Sequence, residues 1–122
     1  MLMLRPTSPM DYRLCNQTVT IYHKDGETYT QKVVRDAFVD FKKTQNVDKT
    51  GSTEANSFLL VIPGDSVVVS VGDKVLHGVG NRVDTREAWA ALIPAKVNGL
   101  VVVKYVDHKY WNGKKIHTEA GG

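Results

Sequence analysis

Apolar and polar residues alternate with a period of two over residues 17–23, where Val19 and Ile21 fall on one side and Thr18, Thr20 and Tyr22 on the other. That is the signature of a half-buried strand. Asp25-Gly26 follows as a tight-turn dipeptide, so residues 27–35 are expected to return antiparallel to the first strand. Residues 37–42 alternate imperfectly and are either a bulged strand or a continuation of the second strand round a corner. Residues 57–62 form an almost unbroken apolar run stopped by Pro63-Gly64, as in a strand buried on both faces. Further strands are expected at 67–71, at 74–79 after the Gly72-Asp73 turn, and at 100–107. Asn112-Gly113 makes a second hairpin of residues 109–111 and 114–119.

One helix interrupts the strands. Asp84 is its expected N-cap, Glu87 completes a capping box, Ala88, Trp89, Leu92 and Ile93 form an apolar stripe, and Pro94 stops it. Trp89 is expected to face inward and plug one open end. The fold class implied is mainly β, a small antiparallel β-barrel of about seven or eight strands with one short α-helix. Residues 43–54 break the rhythm, since Val47 is their one large apolar residue. They are expected to form a long exposed loop, and long loops in compact domains commonly serve binding.

Composition narrows the class. A chain of 122 residues holds one domain, and 42% apolar with 24% charged residues excludes a disordered or low-complexity chain. Lys and Arg number 16 against 13 Asp and Glu, a net 16 − 13 = +3, too mild to nominate nucleic acid by itself. Cys15 is the one cysteine, which excludes an internal disulfide and fits a reducing, intracellular setting. Residues 1–15, with Met1, Met3, Met10, Pro6 and Pro9, are expected to be a flexible N-terminal arm, and 16–122 the barrel domain. No apolar run has the length of a signal peptide or a membrane span, so no membrane partner is expected.

Chemistry-bearing residues do not converge. The histidines at 23, 77, 108 and 117 lack metal-ligand spacing. His108 and His117 face each other across the second hairpin with Asp107 nearby, a set short of the ligands a stable site needs. Asp65, Asp73 and Asp84 occupy turn or cap positions. No nucleophile, base and oxyanion donor come together, so no catalytic, metal or cofactor site is assigned and the protein is read as a non-enzyme. An alternative face for nucleic acid is Lys104, Lys109, Tyr110, Trp111 and Lys114, with Tyr105, because small barrels bind oligonucleotides through aromatics flanked by cations.

Several stretches carry a resemblance: Asn16-Gln17-Thr18-Val19-Thr20-Ile21-Tyr22, the segment Thr44-Gln45-Asn46-Val47-Asp48-Lys49-Thr50-Gly51 running into Phe58-Leu59-Leu60-Val61-Ile62-Pro63-Gly64, then Val71-Gly72-Asp73-Lys74-Val75 and Leu100-Val101-Val102-Val103-Lys104-Tyr105-Val106-Asp107. Together they resemble the small neck proteins of phage and prophage structural clusters, known as minor capsid, head-tail connector or head-closure (stopper) proteins. The resemblance implies a barrel that assembles into a homo-oligomeric ring between portal or adaptor and tail, lining or plugging the DNA channel, without a cofactor. It implies a place in the virion neck, and in the bacterial host cytoplasm before assembly. By position, Lys43, Thr44, Gln45, Asn46, Asp48, Lys49, Thr50 and Glu54 would face the channel or a partner.

Overall fold

The computed structural model describes residues 12–48, 51–94 and 96–122; over 42–48 and 51–57 it describes the backbone. The elements in chain order are β1 (Gln17–Asp25), β2 (Thr28–Asp48), β3 (Gly51–Pro63), β4 (Lys74–His77), α1 (Arg86–Ala91), β5 (Leu100–Val102), β6 (Tyr105–Trp111) and β7 (Lys114–Gly121). All neighbouring strands are antiparallel, in the order β5-β4-β1-β2-β3-β7-β6. The mainly β expectation holds: seven strands curl into a half-barrel with one short helix.

Two devices produce the curl. β2 pairs with β1 from Thr28 to Ala37 and with β3 from Phe38 to Asp48, so one strand crosses between two packed halves. Strands that switch sheets in this way make the corners of orthogonal packings. Residues 37–42 are therefore the second strand continued round a corner. At the opposite corner the two edge strands β5 and β6 are separated in the chain by Val103 and Lys104 alone. Val103 bonds back to the β4 side, through Gly72 N–H to its carbonyl and its own N–H to Asp73 O, while Lys104 N–H donates to Gly121 O beside β7.

The concave face buries Val19 and Ile21 of β1, Val34, Ala37 and Val39 of β2, Phe58, Leu60 and Ile62 of β3, Val75, Val101 and Ala120. At roughly 1.5–3 kcal/mol per large side chain, this is the main stabilising term. Residues 67–71 were expected as a strand, but join no ladder. Val67 and Val69 are nevertheless buried in the core with Val68 between them exposed, while Val71, in the phase of the buried pair, is exposed, so the alternation ends there without a pairing partner.

β1 is buried on its convex face as well. Residues 78–83 strap across it: Thr20 Oγ1 donates to Gly78 O (2.8 Å) and accepts from Gly80 N–H (3.0 Å), Tyr22 OH donates to Asn81 O (2.8 Å), and the Gln31 amide brackets the backbone of Val83. A Cβ at Gly80 would collide with the Tyr22 hydroxyl and Leu76.

The helix differs from expectation in two respects. Its N-cap is Thr85, whose side chain accepts from Ala88 N–H (3.1 Å), not Asp84; Thr and Asp are both good caps, and the chain enters the helix one residue later. Trp89 does not plug the core. It lies on the convex face, its ring 5.9 Å from that of Tyr29 and 4.4 Å from the Lys74 ammonium, which also donates to Trp89 O (2.8 Å). Burial, and secondarily Lys24, pulls the Lys74 amine below its usual value.

Candidate functional site

Residues 42–48 and 51–57, expected as a loop, are instead a two-stranded ribbon. Lys42 pairs with Ser57, Lys43 with Asn56, Thr44 with Ala55, Gln45 with Glu54, Asn46 with Thr53, Val47 with Ser52 and Asp48 with Gly51. Polar composition points to solvent, and a ribbon wet on both faces is as polar as a loop; the β-branched Thr44, Val47 and Thr53 and mutual backbone pairing favour the ladder. Lys49 and Thr50 lie outside the described residues.

This ribbon stands clear of the half-barrel. β1 pairs with β2 no further than Ala37, and β7 pairs with β3 no further than Leu59, so both outer edges of the ribbon are without a neighbouring strand over about 20 Å. At its root Phe41 pairs with Phe58; Phe58 is buried, whereas Phe41 is exposed with its edge towards His77 at 5.9 Å.

The alternative nucleic-acid set lies on the β6–β7 hairpin, where Asn112 (φ 52°) and Gly113 (φ 76°) supply the two positive φ angles of a type I′ turn. Alternation along β6 places Tyr105, Asp107 and Lys109 on one face and Val106 and His108 on the other. Val106 packs against the core, so Lys109 is convex. Tyr110 (63% exposed) and Trp111 (39%) lie beyond a register shift at Lys109–Tyr110, where the β6–β7 ladder is irregular. The Tyr105 ring covers Gly121, opposite it in register. Lys109 is ion-paired to Asp107 at 2.7 Å, and that hydrogen bond holds its amine above the usual value. Lys114 pairs in register with Trp111, and Lys104 precedes β6.

His108 is opposite Thr118 and Lys109 opposite His117, which puts the two imidazoles on opposite faces of the ribbon. His117 is buried and bonded at both nitrogens: Nε2–H donates to Glu119 Oε1 (3.0 Å), leaving Nδ1 to accept from the Tyr12 hydroxyl (2.7 Å). Tyr12, in the segment expected as a flexible arm, is therefore tied to β7; residues 1–11 lie outside the described residues. Burial, and then the Asp36 charge, raises the Cys15 thiol. No group of three or more His, Cys, Asp or Glu among the described residues is gathered to hold a metal, and no helix among them is long and apolar enough to cross a membrane.

Sequence reasoning missed one constellation. His23 Nδ1–H donates to Asp73 Oδ1 at 2.5 Å, and Asp73 Oδ2 accepts from Ser70 N–H at 2.9 Å. The hairpin placing His23 and the turn placing Asp73 were each readable; their meeting, 50 positions apart, follows from the β1–β4 pairing, which carries no local signal.

Residues 14–122 match the model of one protein family, described as a family of unknown function (DUF6751). No curated protein and no solved structure matches the chain.

Proposed function

The chain belongs to the DUF6751 family, and from its own geometry we propose that it is a non-enzymatic virion structural protein, a ring-forming head-tail connector or head-closure subunit of a long-tailed phage or prophage. The observation that carries this reading is the projecting ribbon. A two-stranded hairpin alone in water is at best marginally stable, and open strand edges pair readily with other chains. Mounted on a rigid half-barrel, it is an arm whose two edges suit a neighbouring subunit, and repeated heterologous contacts of that kind close a ring when the rotation does.

On this reading the partners are further copies of the chain, portal or adaptor on one side and tail on the other, with packaged DNA passing nearby, in the virion neck. Across 42–57 Lys42, Lys43 and Lys49 oppose Asp48 and Glu54, a net 3 − 2 = +1, which keeps phosphate affinity low enough for DNA to pass. The test is to mix purified protein with portal-bearing capsids and score neck rings and retention of packaged DNA, beside a variant whose ribbon is shortened by removing residues 44–55. Binding by the full chain and loss in the variant are expected; failure of the full chain to bind or to retain DNA overturns the reading. On the β6–β7 hairpin Lys109 is committed to an ion pair with Asp107, which gives the nucleic-acid alternative less support, and absence of affinity for single-stranded oligonucleotides at low salt would remove it.

A further inference from the structure

The concave face changes character at one mouth of the half-barrel. Register carries the row Val75–Ile21–Lys32 across β4, β1 and β2, and His23 with Thr30 forms the next inward row. By alternation Val34, Lys32 and Thr30 all point inward, so the inward side of β2 runs from apolar to cationic and hydroxylic where the core ends. Lys32 is exposed where the core ends, so its ammonium stands at this mouth and not within the apolar core.

The chain 66–70 crosses opposite this face and closes a cavity of about 390 Å³, lined by Ile21, His23, Thr30, Lys32, Ser66 and Ser70 together with Gln31 and Val68. Barrel mouths are a common location of ligand sites, where a few polar groups converge on an apolar floor. Asp73, 3% exposed, fixes the imidazole of His23, 42% exposed, through Nδ1 and is itself held by Ser70 N–H. A carboxylate behind a histidine sets its tautomer and orientation, here leaving Nε2 as the ring's free nitrogen. Among the described residues neither that Nε2 nor the Lys32 ammonium has a hydrogen-bond or ion-pair partner. Asp25 and Asp65, the other acids close by in the chain, are exposed and do not line the cavity.

We propose that this mouth is a binding site for a phosphate group, with the Lys32 ammonium as its cation, the Thr30, Ser66 and Ser70 hydroxyls as further donors, His23 Nε2 as an acceptor for a phosphate P–OH, and Asp73 as the residue that positions His23. An ammonium and several hydroxyl donors around one polar cavity, with one imidazole acceptor, match a tetrahedral phosphate, whose several oxygens meet partners from different directions. The site stands independently of the assembly reading, because the described residues that line it lie on β1, β2 and the 66–70 crossing, outside the ribbon.

The experiment is an amide and imidazole NMR titration of the full chain with inorganic phosphate, then a mononucleotide, then a short single-stranded oligonucleotide, each against sodium chloride at matched ionic strength. Saturable shifts centred on His23, Lys32, Ser66 and Ser70 are expected. Saturation by inorganic phosphate identifies a free anion as sufficient; saturation first by the mononucleotide or the oligonucleotide identifies a phosphate ester or a nucleic-acid backbone as the source. Lys32→Gln, at an exposed position that leaves the core intact, is expected to weaken binding about tenfold or more, as loss of a charged hydrogen bond does. His23→Gln should do likewise with an unchanged amide spectrum elsewhere. Shifts that only follow ionic strength, that centre on the β6–β7 lysines, or that persist undiminished in both variants overturn the proposal.

Discussion

Thr118 Oγ1 is buried on β7 without a hydrogen-bond partner among the described residues, and a hydroxyl taken from water without compensation costs roughly 1–3 kcal/mol. Thr118→Val keeps the shape and removes that penalty, so it is expected to raise the unfolding free energy by about 1 kcal/mol, read as a higher urea midpoint at unchanged slope. Tyr22 carries the opposite lesson. Its hydroxyl is buried but bonded to Asn81 O, and burial raises its pKa above 10.0. The folded state therefore holds this proton more tightly than the unfolded chain. The resulting stability is whole below pH 10.0 and is lost as pH rises through the raised value. Tyr22→Phe is expected to cost about 1 kcal/mol at pH 7 and to flatten the alkaline limb of a stability-versus-pH curve. Cys15, raised first by burial and then by Asp36, should react with iodoacetamide at pH 8 more slowly in the native protein than in urea, and Asp36→Asn should restore part of the difference.

At the scale of elements, backbone contacts outrank side-chain identity at the convex strap over β1. Gly80 N–H donates to Thr20 Oγ1 at 3.0 Å, and there is no room for a Cβ between the Tyr22 hydroxyl and Leu76. Gly80→Ala should lift the strap and destabilise by about 1–3 kcal/mol, with the Tyr22 and Thr20 environments changing by NMR while the core spectrum is retained. The strands with a strict period of two, β1 and the start of β2, were legible in the sequence, as was the Asn112-Gly113 turn, because pattern and turn chemistry are local. Residues 67–71 show the limit: expected as a strand, they bury Val67 and Val69 but join no ladder, because whether a buried extended segment finds one depends on distant neighbours. The 42–57 ribbon failed for the converse reason, since it pairs with itself and its sequence, with Val47 as the one large apolar residue of 43–54, carries no apolar strand signature. Trp89 was legible as a packing residue but not as a convex one, because the side of the sheet a short helix covers is set by the chain's path through 78–83.

For the molecule as a whole, the decisive contrast is between a body with strands on both sides and an arm with strands on neither. β1 is paired on one edge by β2 and on the other by β4, over Val19–Tyr22 in both cases, and is buried on both faces. Among the described residues the ribbon's strands pair only with each other beyond the Phe41–Phe58 root. Local stability should then span a wide range, from near zero in the ribbon to the global value in β1. Native-state hydrogen exchange of the free protein is expected to show amides of 43–47 and 52–56 exchanging close to unprotected rates while those of Val19 and Ile21 exchange only by global unfolding. Shortening the ribbon by residues 44–55 should leave the thermal midpoint of the body within about 2 °C, since the backbone of these residues pairs only within the ribbon among the described residues. Were the arm instead as protected as β1 in the isolated chain, it would be self-sufficient, and its need of a neighbouring subunit would disappear; protection that appears only on portal-bearing capsids is the result an assembly arm requires.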